Sequence, residues 1–70
     1  MDKQQASPEY KREVLGRLRK AKADRVPIGL IAEACGDGVN IHVLYDILET
    51  KRFPLDVWEI VSKGLKKLGY

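Results

Sequence analysis

Residues 27–54 read PIGLIAEAC-GDG-VNIHVLYDILE-TKRFP, and this stretch decides the fold. Gly36-Asp37-Gly38 is turn chemistry between two short apolar blocks. Before it, Ile28, Ile31, Ala32 and Cys35 recur at helical spacing, which predicts a short helix over residues 27–35. Gly36 suits a left-handed cap at its end. After the turn, Val39 packs inward and Asn40 caps a helix over residues 41–49. Leu44, Ile47 and Leu48 form the inner stripe of that helix, and Ile41, Val43 and Tyr45 add apolar surface elsewhere around it. Such a helix is either central to a small bundle or also faces a partner. The basic loop Thr50-Lys51-Arg52-Phe53-Pro54 then closes the unit.

Helices are expected on both sides. Residues 1–6 read as a frayed polar tail ahead of a single domain over residues 7–70. Ser7-Pro8-Glu9 is a helix start: a cap, a proline at the first position, and an acid at the positive end of the dipole. The first helix covers residues 8–23, with Tyr10, Val14, Leu18 and Ala21 on one face and Leu15 beside them. Lys11, Arg12, Arg17, Arg19, Lys20 and Lys22 lie on the opposite face, which reads equally as a solvated face or as a basic surface for nucleic acid. Gly16 weakens this helix by about 1 kcal/mol relative to alanine and is read as room for a close crossing. Arg25-Val26-Pro27 breaks the chain, because a residue before proline avoids helical angles. The last helix, residues 55–68, turns Val57, Ile60, Val61, Gly64, Leu65 and Leu68 inward and is stopped by Gly69. Asp56 caps or charges its start, and Lys63, Lys66 and Lys67 suit its negative end. Trp58 reads as half-buried or as a dimer contact. The fold class is all-α, four to five short helices.

Composition narrows the chemistry. Seventy residues make one small core, which buries only about 60% of the unfolded surface. Cys35 is the sole cysteine, so no internal disulfide forms, and it reads as a buried small hydrophobe. His42 is the sole histidine and has no ligands at metal spacing. No nucleophile–base pair, phosphate loop or metal cluster is visible, so neither an enzyme nor a cofactor is expected. The polar opening Met1-Asp2-Lys3-Gln4-Gln5 predicts no signal peptide or membrane span, and a cytoplasmic protein. The net charge of +3 is unevenly spread: residues 1–25 carry +4, residues 26–50 carry −4 and residues 51–70 carry +3. A positive excess of this size permits nucleic-acid binding without requiring it.

The order helix, glycine turn, helix with an inward stripe is that of a helix-turn-helix. The run Leu44-x-x-Ile47-Leu48-x-x-Lys51-Arg52-x-Pro54, continuing into Val57-x-x-Ile60-Val61-x-x-x-Leu65, resembles the Cro/repressor-type helix-turn-helix family of lambdoid phage repressors and small bacterial regulators. The resemblance covers residues 26–68. It aligns Ala32 with the small residue where two helices cross, and Gly36 with the glycine of the turn. The chain departs from the family in a turn two residues longer, in Thr50 where glycine is usual, and in Ile28 where a polar phosphate contact is common. The resemblance implies double-stranded DNA as partner and docking of the 41–49 helix in the major groove. Asn40, Ile41, His42, Tyr45, Asp46 and Glu49 would then face the bases, and Lys51, Arg52 and the start of the 27–35 helix would hold phosphates. It also implies a homodimeric transcriptional regulator, phage- or prophage-like.

Each of these residues has a plainer reading beside the functional one. Asn40 is a helix cap or an adenine reader. His42 is a solvent-exposed helix residue or a donor to DNA, and Tyr45 a partly buried bundle residue or a phosphate or methyl contact. Asp46 and Glu49 oppose the field of DNA, and pair equally well with Lys51, with Arg52 or with a protein. The alternative function is therefore a protein-interaction module on the same fold, gripping a partner through the acidic, apolar third helix. A third is nucleic-acid association through the basic first helix.

Overall fold

The structure, a computed structural model, describes residues 7–36, 38–49 and 51–70. The tail over residues 1–6, Asp37 of the turn and Thr50 of the loop lie outside the described residues. Among the described residues four helices follow one another: α1 (Pro8–Ala23), α2 (Ile28–Cys35), α3 (Ile41–Leu48) and α4 (Leu55–Lys67). No strand occurs among the described residues. The fold is thus all-α, with four helices, α2 and α3 joined by the glycine turn.

Local chemistry sets the boundaries. The Ser7 hydroxyl accepts from the Tyr10 N–H at 3.2 Å, and Pro8 occupies the first helical position of α1. Asn40 Oδ1 accepts from the Val43 N–H at 3.0 Å to start α3. Pro27 and Pro54 precede α2 and α4 without a side-chain cap bond, and Asp56 contributes only its charge to the first turn of α4. At the far end of α1, Val26 N–H bonds Ala21 O at 3.0 Å and Arg25 N–H bonds Lys22 O at 2.9 Å. That is a Schellman motif, and its left-handed residue is Arg25, at φ +66°. α4 closes the same way through Tyr70 N–H to Leu65 O and Gly69 N–H to Lys66 O, here with glycine at φ +90°. Gly36 also has positive φ, +87°, but with ψ −162° it is extended rather than left-handed helical, a region that glycine alone occupies freely.

α4 packs against α2 and, less extensively, α1, while α3 leans on α2 and α1. Val14, Leu18 and Ala21 of α1, Ile31 of α2, Leu44 and Ile47 of α3, and Val61 and Leu65 of α4 are sealed from solvent. Each valine, leucine or isoleucine among them contributes about 1.5–3 kcal/mol of transfer free energy. Val39 plugs the turn into this core.

Several expectations are corrected here. Trp58 is 2% exposed and belongs to the core, so it is neither half-buried nor a surface contact. Gly16 faces open space and makes no crossing. The tight crossing is at Gly64, where a Cβ would lie 2.9 Å from both Cα and N of Cys35. Ala32 is half-buried against the core. Cys35 is half-buried rather than fully so. Its thiol pKa is pushed up by burial, against a smaller lowering by Lys67.

Candidate nucleic-acid interface

α3 turns Leu44 and Ile47 into the core and leaves Asn40, Ile41, His42, Tyr45 and Glu49 exposed, with Asp46 half-buried at the edge. Ile41, Tyr45 and Glu49 stand four residues apart and form one outward stripe. Ile41 is 42% and Tyr45 47% exposed, a large apolar outlay for the surface of a small domain. Tyr45 is therefore not the partly buried bundle residue of its plainer reading.

The cap bond of Asn40 commits its Oδ1. Adenine reading uses the same oxygen together with the amide N–H2, and an amide oxygen has two lone pairs, so cap and reader are compatible. Lys22 of α1 holds its ammonium 5.9 Å from the centre of the Tyr45 ring. That is at the outer limit of a cation–π contact, and it sets a positive charge beside the outward face of α3.

The acidic pair is not left to itself. Lys51 Nζ lies 3.4 Å from Asp46 Oδ1 and 3.7 Å from Glu49 Oε1. Lys51 N–H also bonds Asp46 O at 3.0 Å, which fixes the loop against the end of α3. Exposed pairs of this kind contribute at most about 1 kcal/mol, yet they matter for the field. Two acids and one lysine leave this corner at a formal −1, and Lys51 is shared rather than independent.

Lys51 and Arg52 also meet residues from the basic face of α1. A cleft of about 210 Å³ is lined by Lys11, Arg12 and Leu15 of α1, by Lys51 and Arg52, and by Trp58 of α4. Trp58 Nε1–H is buried without a hydrogen-bond partner among the described residues. A buried orphan donor costs about 1–3 kcal/mol. Lys11 and Arg12 are the cationic residues missed. The available signal was their place one turn ahead of Leu15, on the flank of the buried stripe.

Away from this end, Arg17 is also no solvated residue. Its guanidinium donates to Tyr70 O at 2.6 Å, Ser62 Oγ at 2.8 Å and Ser62 O at 3.0 Å, with Glu13 at 3.7 Å. Tyr70 in turn donates its hydroxyl to Asp24 at 2.6 Å, and this bond, foremost, raises its pKa above the usual 10.0.

No three of His, Cys, Asp and Glu gather at a metal-binding spacing among the described residues. No helix among them is long and apolar enough to cross a membrane. The architecture defines a small all-α domain with cations from α1 and the α3–α4 loop gathered at one end. Compared with protein-family models, curated proteins and solved structures, the chain matches none.

Proposed function

We propose that this domain binds double-stranded DNA with sequence preference, as a small transcriptional regulator of the Cro/repressor kind. One observation carries the reading. The outward face of α3, with Asn40, Ile41, His42 and Tyr45, is flanked by cations on two sides, Lys22 at the Tyr45 ring and Lys11, Arg12, Lys51 and Arg52 around the following loop. Docked in the major groove, α3 presents those four side chains to base edges, while the flanking cations and the N-terminus of α2 meet the phosphates. The two acids, Asp46 and Glu49, are partly neutralised by Lys51 and so oppose the DNA field less than their formal charge implies. On this reading the protein is cytoplasmic, non-enzymatic, free of cofactors and a homodimer that spans two half-sites.

A second reading, a protein-interaction module, draws support from the exposure of Leu30, Ile41 and Tyr45 on α2 and α3. A salt titration separates the two. Duplexes are first selected from a randomised pool. Binding to selected and random duplexes is then followed from about 50 to 200 mM salt. A linear fall in log affinity with log salt, with a preference surviving at every salt, supports the regulator. No binding at about 50 mM salt sinks it and favours the interaction module.

A further inference from the structure

The cleft lined by Lys11, Arg12, Leu15, Lys51, Arg52 and Trp58 combines three things that seldom meet on a solvated surface. It has four cations, two of them from a helix more than thirty positions away in sequence. It has an apolar wall, Leu15 and Trp58. One of its lining residues, Trp58, has a buried indole N–H with no acceptor among the described residues. Of the four cations, Lys51 is shared with Asp46 and Glu49, while Lys11, Arg12 and Arg52 form no ion pair among the described residues. The local charge is therefore positive, and only the share of Lys51 is answered by neighbouring acids. The cavity of about 210 Å³ is the volume of roughly seven waters, at about 30 Å³ each. That is room for one ring and one acidic group.

We infer that this cleft binds a small organic anion, an acidic group held among the cations with its apolar body against Leu15 and Trp58. The guanidinium groups of Arg12 and Arg52 offer bidentate geometry to a phosphate or carboxylate. The indole N–H is sealed from a water-sized probe, so it reports on the cleft without being one of its required contacts. Nothing in this inference requires DNA. If the DNA reading also holds, the anion occupies cations that would otherwise meet phosphates, and it acts as an effector that weakens DNA binding.

Trp58 is the only tryptophan, so a ¹⁵N-labelled protein gives one indole N–H cross-peak from a residue that lines the site. The probes are phenyl phosphate, inorganic phosphate and phenol, each titrated without DNA. Phenyl phosphate is expected to shift the Trp58 cross-peak saturably, inorganic phosphate to bind at least tenfold more weakly, and phenol not to saturate. Arg12→Gln with Arg52→Gln is expected to weaken phenyl phosphate at least tenfold at an unchanged thermal midpoint, and Lys11→Gln with Arg12→Gln serves as a second variant. Lys63→Gln with Lys66→Gln removes the same charge outside the cleft and should leave the affinity as it was. The inference is overturned if phenyl phosphate gives no saturable shift, if inorganic phosphate binds as tightly, or if the Lys63/Lys66 variant loses as much as the cleft variants. Because DNA is absent from these titrations, their failure leaves the DNA reading standing, and the reverse also holds.

Discussion

Replacing Asp46 with Asn and Glu49 with Gln removes both carboxylates from the outward edge of α3 and releases Lys51 from its two ion pairs, at 3.4 and 3.7 Å. If α3 docks in the groove, both changes favour DNA. A carboxylate on the order of 8 Å from a phosphate costs about 0.5 kcal/mol at the dielectric of water. Screening at 0.1 M salt, with a Debye length of about 10 Å, roughly halves that. The two acids together then account for about 0.5 kcal/mol. A freed Lys51 that neutralises one phosphate contributes a salt slope of about 0.9, hence roughly eightfold in affinity at 0.1 M, or about 1.2 kcal/mol. The double variant should therefore bind about 10- to 30-fold more tightly at 0.1 M salt, with a slope steeper by about one. The fold should tolerate it. The lost surface pairs cost at most about 1 kcal/mol each, and removing acids from the C-terminal end of a helix returns about 0.3–1 kcal/mol each. Fluorescence anisotropy with a labelled duplex at two salt concentrations measures the effect, with a thermal melt as control. An affinity and slope that stay at the parent values, in a folded variant, refute docking by this face and promote the protein-interaction reading.

Other perturbations test the fold. Leu44→Ala empties a fully buried site of α3 and should cost about 2–5 kcal/mol, a large part of the stability of so small a domain; an unchanged melting midpoint would disprove the packing of α3. Arg25→Gly relieves a left-handed residue at φ +66°, worth about 1–2 kcal/mol, against about 0.4–1 kcal/mol of added unfolded-state entropy; a midpoint that rises by several degrees confirms the sign. Gly16→Ala meets no atom within 4 Å and should stabilise α1 by about 0.5–1 kcal/mol in chemical denaturation. The Tyr70 pKa is raised by its bond to Asp24, so its contribution is complete below the ordinary tyrosine value of 10.0 and is lost as pH climbs through the folded value. Stability of the parent should fall over that range, and Tyr70→Phe should flatten the fall.

The helices were legible in the sequence because their signals are local. Ser7-Pro8, Val26-Pro27, Asn40 and Pro54 stand where α1 to α4 begin, and the spacing of Val14, Leu18 and Ala21, or of Leu44 and Ile47, gives the buried faces directly. Side chains whose partners lie far along the chain were misread. Arg17 looks solvated by charge, and its acceptors on Ser62 and Tyr70 are 45 and 53 residues away. Trp58 lies on the edge of the α4 stripe, and it is tertiary packing that makes that edge interior. The exposure of Ile41, His42 and Tyr45 follows from periodicity once Leu44 and Ile47 face inward. Lys11 and Arg12 join Lys51 and Arg52 only through the way α1 crosses α4, which no local pattern encodes.

Gly64 constrains how this sequence can drift. A methyl group there would collide with Cα and N of Cys35, both at 2.9 Å, and not only with its thiol. Shrinking Cys35 to alanine or glycine removes the sulfur and leaves the backbone where it was. The position thus has no side-chain suppressor, and any larger residue must push α2 off α4. Gly38 differs, because its methyl would meet the mobile tip of Ile60, at Cδ1, which can rotate away. Since α2 leads through the turn into α3, losing Gly64 displaces the surface that α3 presents. Substitutions at 16 or 25 are reversible steps in an evolving lineage, whereas one at 64 is a commitment to a different geometry.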